Sequence, residues 1–82
     1  MHESGIVEDL IGHLKKLSDE NGGGRLLRVD VGLGVDAGFS SEHFEEHFRI
    51  ASATTVAEGA VLVIQNRDGA AVTLEAVEVD ET

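Results

Sequence analysis

Residues 59–79 read GAVLVIQNRDGAAVTLEAVEV. Two β-rich runs flank a turn. GAVLVIQ, 59–65, is a short apolar strand bounded by glycine. Asn66-Arg67-Asp68-Gly69 places Asn first and Gly last, a favoured arrangement in a type I turn. A hairpin of this kind closes with Gly in the left-handed region as a bulge. AAVTLEAVEV, 70–79, is then the returning strand. Its apolar positions Val72 and Leu74 give way to Val77 and Val79, so the alternation slips by one. That slip predicts a bulge near Glu75-Ala76.

Upstream stands RLLRVDVGLG, 25–34. Leu27, Val29, Val31 and Leu33 alternate with Arg28, Asp30 and Gly32, which predicts a strand with one apolar face. Between the two strand regions, Gly34 to Gly38 reads as a loop and SSEHFEEHFRIASA, 40–53, as a helix. Ser40 or Ser41 caps it, and Phe44, Phe48 and Ala51 share a face. At the start of the chain Ile6, Val7, Leu10, Ile11, Leu14 and Leu17 follow helical spacing. Ser4 is the candidate N-cap there, Glu8 and Asp9 suit the positive end of the macrodipole, and Asn21-Gly22-Gly23-Gly24 is a stop. The first helix is expected over residues 5–21. The last four residues, VDET, read as a short acidic end that frays.

The order is therefore helix, strand, helix, strand, strand. It predicts an α/β (α+β) two-layer sandwich, with a three-stranded mixed sheet covered on one face by two helices. The first two strands are expected parallel through a right-handed crossover, and the hairpin then makes the sheet mixed.

Eighty-two residues make one small domain with a thin core. Sixteen acids against six bases leave a formal charge of −10. A duplex binder needs cations to displace counterions, and Lys15-Lys16 is too small a cluster, so no nucleic acid is expected. The same field repels anionic membranes and attracts cations or basic protein patches. There is no cysteine, so thiol chemistry and any zinc site of the cysteine type are excluded. No apolar run approaches the roughly 20 residues of a membrane span. No basic region followed by an apolar stretch opens the chain, so no signal peptide is visible and a cytoplasmic location is expected.

Four stretches carry a family resemblance: Met1-His2-Glu3 at the opening, RVDVGLG at 28–34, FRIASATTVAEGA at 48–60 and LEAVEV at 74–79. Together and in this order they resemble the nickel-binding domain of the HypA/HybF family, the nickel metallochaperones of NiFe hydrogenase maturation. The resemblance covers nearly the whole chain, 1–82. It implies Ni(II) as cargo, held by His2 with backbone nitrogens of His2 and Glu3 and the amine of Met1. It implies no catalysis. Its implied partners are a hydrogenase large subunit or a nickel-delivery GTPase, and a homodimer is a further option. The family inserts a zinc domain with two CxxC pairs between its second and last strands. Here a hairpin turn at 66–69 stands in that place, which removes the zinc site and any nickel ligand near it. Ser4 and Gly5 replace the family's apolar residue and Ser, and Val35 replaces a frequent Glu. A carboxylate that assists nickel in some members falls near Ser40.

The residues themselves allow competing readings. A free terminal amine, a backbone amide and an imidazole within two residues can form fused chelate rings, and tetragonal nitrogen-rich sites suit Ni(II) or Cu(II). Methionine is normally kept before a bulky residue, which leaves the Met1 amine free. The bland alternative is a frayed terminus with an idle histidine. HFEEH, 43–47, matches the inverted zincin pattern H-x-x-E-H. A protease needs a third ligand and a cleft, so a solvent-facing His/Glu helix is the preferred reading, with a weak His43/His47 zinc site as the remaining option. His13 reads as a solvent-edge residue. Gly22-Gly23-Gly24 precedes a strand and lacks the Lys-Ser/Thr ending of a phosphate loop. The expectation is a nickel metallochaperone-like domain. Its rival is an accessory module of a hydrogenase, or of its assembly machinery, that has lost metal delivery.

Overall fold

The computed structural model describes residues 3–80. Its elements are α1 (Glu3–Glu20), β1 (Leu26–Gly34), α2 (Ser41–Ser52), β2 (Val61–Arg67) and β3 (Val72–Val79). The three strands form one sheet in the order β2-β1-β3, with β1 parallel to β2 and antiparallel to β3. The expected α+β class, element order and mixed sheet are all present. Among the described residues no helix is long and apolar enough to cross a membrane.

The hairpin expected at 66–69 does not form. Asn66 and Arg67 belong to β2, and β1 lies between β2 and β3. Residues 68–71 instead cross the end of β1. Strands two places apart are separated by about 9.5 Å, which a link of this length spans easily. Three backbone bonds hold the crossing: Gly34 N–H donates to the Ala71 carbonyl (2.9 Å), Val35 to Arg67 (2.8 Å) and Asp36 to Gly69 (2.8 Å). Gly69 supplies the positive φ of the link, +86°. Gly34 supplies room, because a Cβ there would run into the Gly69 carbonyl and the Ala71 nitrogen. The central place goes to β1 because its apolar face is the most completely covered. Val29, Val31 and Leu33 are all buried, whereas β2 runs out into Gln65-Asn66-Arg67 and β3 carries Glu75 and Glu78. Charged side chains on edge strands also discourage pairing with another chain.

The bulge expected near Glu75-Ala76 is present, as a register shift between the pairs Asp30↔Ala76 and Val31↔Leu74. A second shift between Leu26 and Arg28 corrects the expected face of β1. Leu26 is buried and Leu27 is 43% exposed, because the irregularity turns the strand by one residue there. The Glu75 bulge has a consequence on the open face of the sheet. Arg67 of β2 donates twice to the Glu75 carboxylate of β3, Nε to Oε2 and Nη2 to Oε1, both at 2.8 Å. The pair reaches over Gly32 of β1, where a side chain would collide with both partners. Its hydrogen bonds and charge hold the Glu75 carboxyl below its ordinary value, opposed in part by desolvation, and raise that of Arg67.

Both helices cover the other face. Val7, Leu10, Ile11 and Leu14 of α1 and Phe44 and Phe48 of α2 meet Val29, Val31 and Leu33 in one core. α1 lies over β3, and α2 flanks β2. α1 begins at Glu3, so Ser4 lies inside the helix and is not its N-cap. The helix ends where expected. The buried Ser18 hydroxyl donates to the Gly24 carbonyl (2.6 Å), and the Gly23 N–H donates to the Ser18 carbonyl (2.7 Å). Ser40 is the cap of α2, accepting from the His43 N–H at 3.1 Å. At the other end of the chain Asp80 is tied in, its N–H donating to the Arg25 carbonyl (2.8 Å).

Candidate metal centre

The expected nickel ligands centre on the first three residues. Met1 and His2 lie outside the described residues. Glu3 is the first residue of α1. The first four N–H groups of a helix have no acceptor within it, so the Glu3 nitrogen can serve a ligand without breaking a helical hydrogen bond. A start two residues later, as the Ser4 cap implied, would have left that amide in irregular chain.

The fold determines what stands beside this point. Ile6, Asp9, Leu10 and His13 of α1 face Val72 and Leu74 across an open groove of about 670 Å³. The first turns of α1 therefore lie over the start of β3, next to the 68–71 link. That link is bonded to residues 34–36, and α2 starts a few residues further on. The beginnings of α1 and α2 thus gather at the end of the sheet where β1 and β2 finish. Ser40, near which the family resemblance puts a helper carboxylate, is at this end, and its hydroxyl accepts the His43 N–H as the cap. Asp36 and Asp68 bring exposed carboxylates to the same two bonded loops. Sequence reading passed over them because nothing local shows that the two loops touch.

The other candidate histidines lie on the two helices. His13 is exposed, as expected, and lines the α1–β3 groove. His43 is exposed and His47 half-buried on α2, their ring centres 5.5 Å apart. Among the described residues no group of three or more His, Cys, Asp or Glu side chains is arranged to hold a metal ion. The third ligand that an H-x-x-E-H protease requires is therefore not supplied by these residues. Gly22-Gly23-Gly24 closes α1 and leads into β1, which agrees with its reading as a stop.

Comparison with known proteins covers most of the chain. Residues 1–76 match the family model described as hydrogenase/urease nickel incorporation, metallochaperone, HypA. The chain is similar to the hydrogenase maturation factor HypA of Chlorobaculum tepidum, at 35% identity over 69 residues, 84% of this chain and 61% of that protein. The corresponding factor of Xanthobacter autotrophicus is 31% identical over 71 residues, 87% of this chain and 63% of that one. The chain thus spans less than two thirds of the length of these curated relatives. A solved structure, the solution structure of the Ni metallochaperone HypA from Helicobacter pylori, shares the fold with a TM-score of 0.71. It is 24% identical, and the match covers 93% of this chain and 72% of that one.

Proposed function

Because the chain belongs to the HypA family, we propose that it carries Ni(II) for the maturation of a nickel enzyme, a hydrogenase first of all. His2 supplies the imidazole ligand. The backbone nitrogens of His2 and Glu3 and the amine of Met1 complete a nitrogen-rich set of the kind Ni(II) accepts. The observation that carries this reading is a coincidence of position. The family match includes residue 1, and α1 starts at Glu3, where the amide is spared from helical bonding. Chemistry is not required of such a protein. It has to hold an ion in an open site and give it up, either to the hydrogenase large subunit or in exchange with a GTPase partner. The net charge of −10 favours capture of a cation.

A second reading is favoured by one feature. β2 and β3 are joined by residues 68–71 alone, and the chain has no cysteine, so the family's CxxC zinc domain has no place between them. On this reading the domain keeps the family fold as an accessory module and binds a hydrogenase or its assembly machinery without metal. Titration calorimetry with Ni(II) separates the two. The untagged protein is expected to bind one ion, and His2→Ala and an N-terminally extended form are expected to bind none at that site with the fold intact. Equal affinity in all three forms would rule out the N-terminal site and leave the accessory reading.

A further inference from the structure

Among the described residues β3 pairs with β1 alone and forms one edge of the sheet, so the backbone groups on its outer side have no strand partner. We propose that the groove between α1 and this edge takes an extended, basic segment of a partner protein as a fourth strand. The groove follows β3 along its length. Ile6, Asp9, Leu10 and His13 stand over residues 70–74 across about 670 Å³. Leu17 and Asn21 stand over residues 74–79 across about 340 Å³ more, and Leu74 borders both parts. The core is unfinished here. Val29, Val31 and Leu33 of β1 are buried, whereas Val72, Leu74, Val77 and Val79 of β3 are only half-buried, as are Ile6 and Leu17 of α1. An added strand would cover this apolar surface and pair the free edge. Strand addition to a sheet edge uses these same two contributions, main-chain bonds for affinity and pockets for alternate side chains.

Charge selects the occupant. Glu75 and Glu78 are exposed on β3, Glu75 bonded to Arg67 across the open face and Glu78 in register with Arg28. A strand added outside β3 sets its own open-face residues beside these two carboxylates. Opposite charges stabilise such cross-strand pairs and like charges destabilise them. Asp9 adds a carboxylate on the helix lip, and helical periodicity puts exposed Glu20 on that lip too, with Lys16 the single base among them. A second copy of this chain fits poorly. Two β3 edges paired about a two-fold axis would bring the acids of one beside those of the other, between two bodies of charge −10. A segment that alternates apolar residues, turned to the core, with Lys or Arg, turned to the acids, matches both faces of the edge. The β2 edge is less suited. Its groove is smaller, about 240 Å³, and its helix lip is Ser41, Glu42 and Glu45, which offers no apolar side chain to cover.

The test uses the full chain with no added metal ion, so it reads nothing of the N-terminal site. The probe is a fluorescein-labelled peptide of alternating Val and Lys, as long as β3 at 8 residues. Fluorescence anisotropy at about 0.15 M salt should show saturable one-to-one binding. Amide NMR shifts should fall on residues 70–79 and on the groove flank of α1, and β3 amides should gain protection from hydrogen exchange. Two further peptides, N-methylated at alternate residues in the two possible phases, keep the charge and differ in which edge is blocked. The one blocked toward β3 should bind at least about tenfold more weakly than the other, the equivalent of two or three hydrogen bonds. Glu78→Lys, at an exposed position, should weaken binding several-fold with a native circular dichroism spectrum. Equal binding of all three peptides, affinity unchanged in Glu78→Lys, shifts centred on β2 and α2, or a dimer of the chain that occupies the β3 edge would overturn the proposal.

Discussion

Gly34→Ala tests how the sheet is assembled. The glycine sits at the end of β1 under the 68–71 link and needs no unusual φ, so alanine is acceptable to the local backbone. The added Cβ would run into the Gly69 carbonyl oxygen and lie 2.8 Å from its carbon and 2.9 Å from the Ala71 nitrogen. These are backbone atoms and cannot swing away as a side chain would. The link must lift, and the bonds from Gly34, Val35 and Asp36 to Ala71, Arg67 and Gly69 are lost or lengthened. At about 0.5–1.5 kcal/mol for each bond, the loss is about 1.5–4.5 kcal/mol. Lower unfolded-state entropy returns about 0.4–1 kcal/mol, leaving a net loss of about 0.5–4 kcal/mol. A chain of this size has roughly 4–12 kcal/mol in total, so the change is large. Urea denaturation should show it as a lower midpoint, and a melting curve as a fall of about 4–8 °C per kcal/mol. Gly12→Ala is the control, because its Cβ meets nothing on an exposed helical surface. It should stabilise the protein by up to about 1 kcal/mol. If Gly34→Ala stays within about 0.5 kcal/mol of the parent, the link does not press on β1 as described, and a true β2–β3 hairpin becomes the better account.

Other perturbations probe separate parts of the molecule. Phe44→Ala empties the centre of the core and should cost about 3–5 kcal/mol by chemical denaturation. Ser40→Ala removes the acceptor of the His43 amide and should cost about 0.5–2 kcal/mol, with helicity lost at the start of α2 by NMR. Thr54 is a β-branched residue at φ +64°, so Thr54→Gly should leave stability unchanged or raise it, as read from the urea midpoint. Glu75 has a carboxyl held below its ordinary 4.5 by Arg67. Its contribution is therefore complete above that value and disappears as pH falls through the lowered folded value. The parent should exceed Glu75→Gln in melting temperature at neutral pH, and the gap should close in that acid range. A gap that persists at low pH would show that the carboxylate charge is not what the bridge uses.

Local pattern carried most of the elements. Helical spacing from Ile6 to Leu17 and the glycine run after it place α1 to within two residues at each end. The slip between Leu74 and Val77 marks the Glu75 bulge, because a period of two cannot change phase without an extra residue. The misreadings were also local. Leu26-Leu27 offers two apolar residues in succession, and which one faces inward depends on an irregularity opposite β3. Asn66-Arg67-Asp68-Gly69 has good turn chemistry in the wrong place, since half of it is strand.

Composition, periodicity and the Met1-His2-Glu3 opening thus determined the class of fold, the two helices, the family resemblance and the proposed role of His2. Each of these depends on residues near one another in the chain. Only the tertiary structure decided that β1 lies between β2 and β3, that Gly34 must be small, and that Arg67 reaches Glu75 over Gly32. It also decided that α1 and α2 begin at the same end of the sheet. The physical reason is competition among strands. A hairpin and a crossover can use the same short connection, and the choice falls to whichever strand has most apolar surface to cover from both sides. That quantity is set by the whole core and by no single segment.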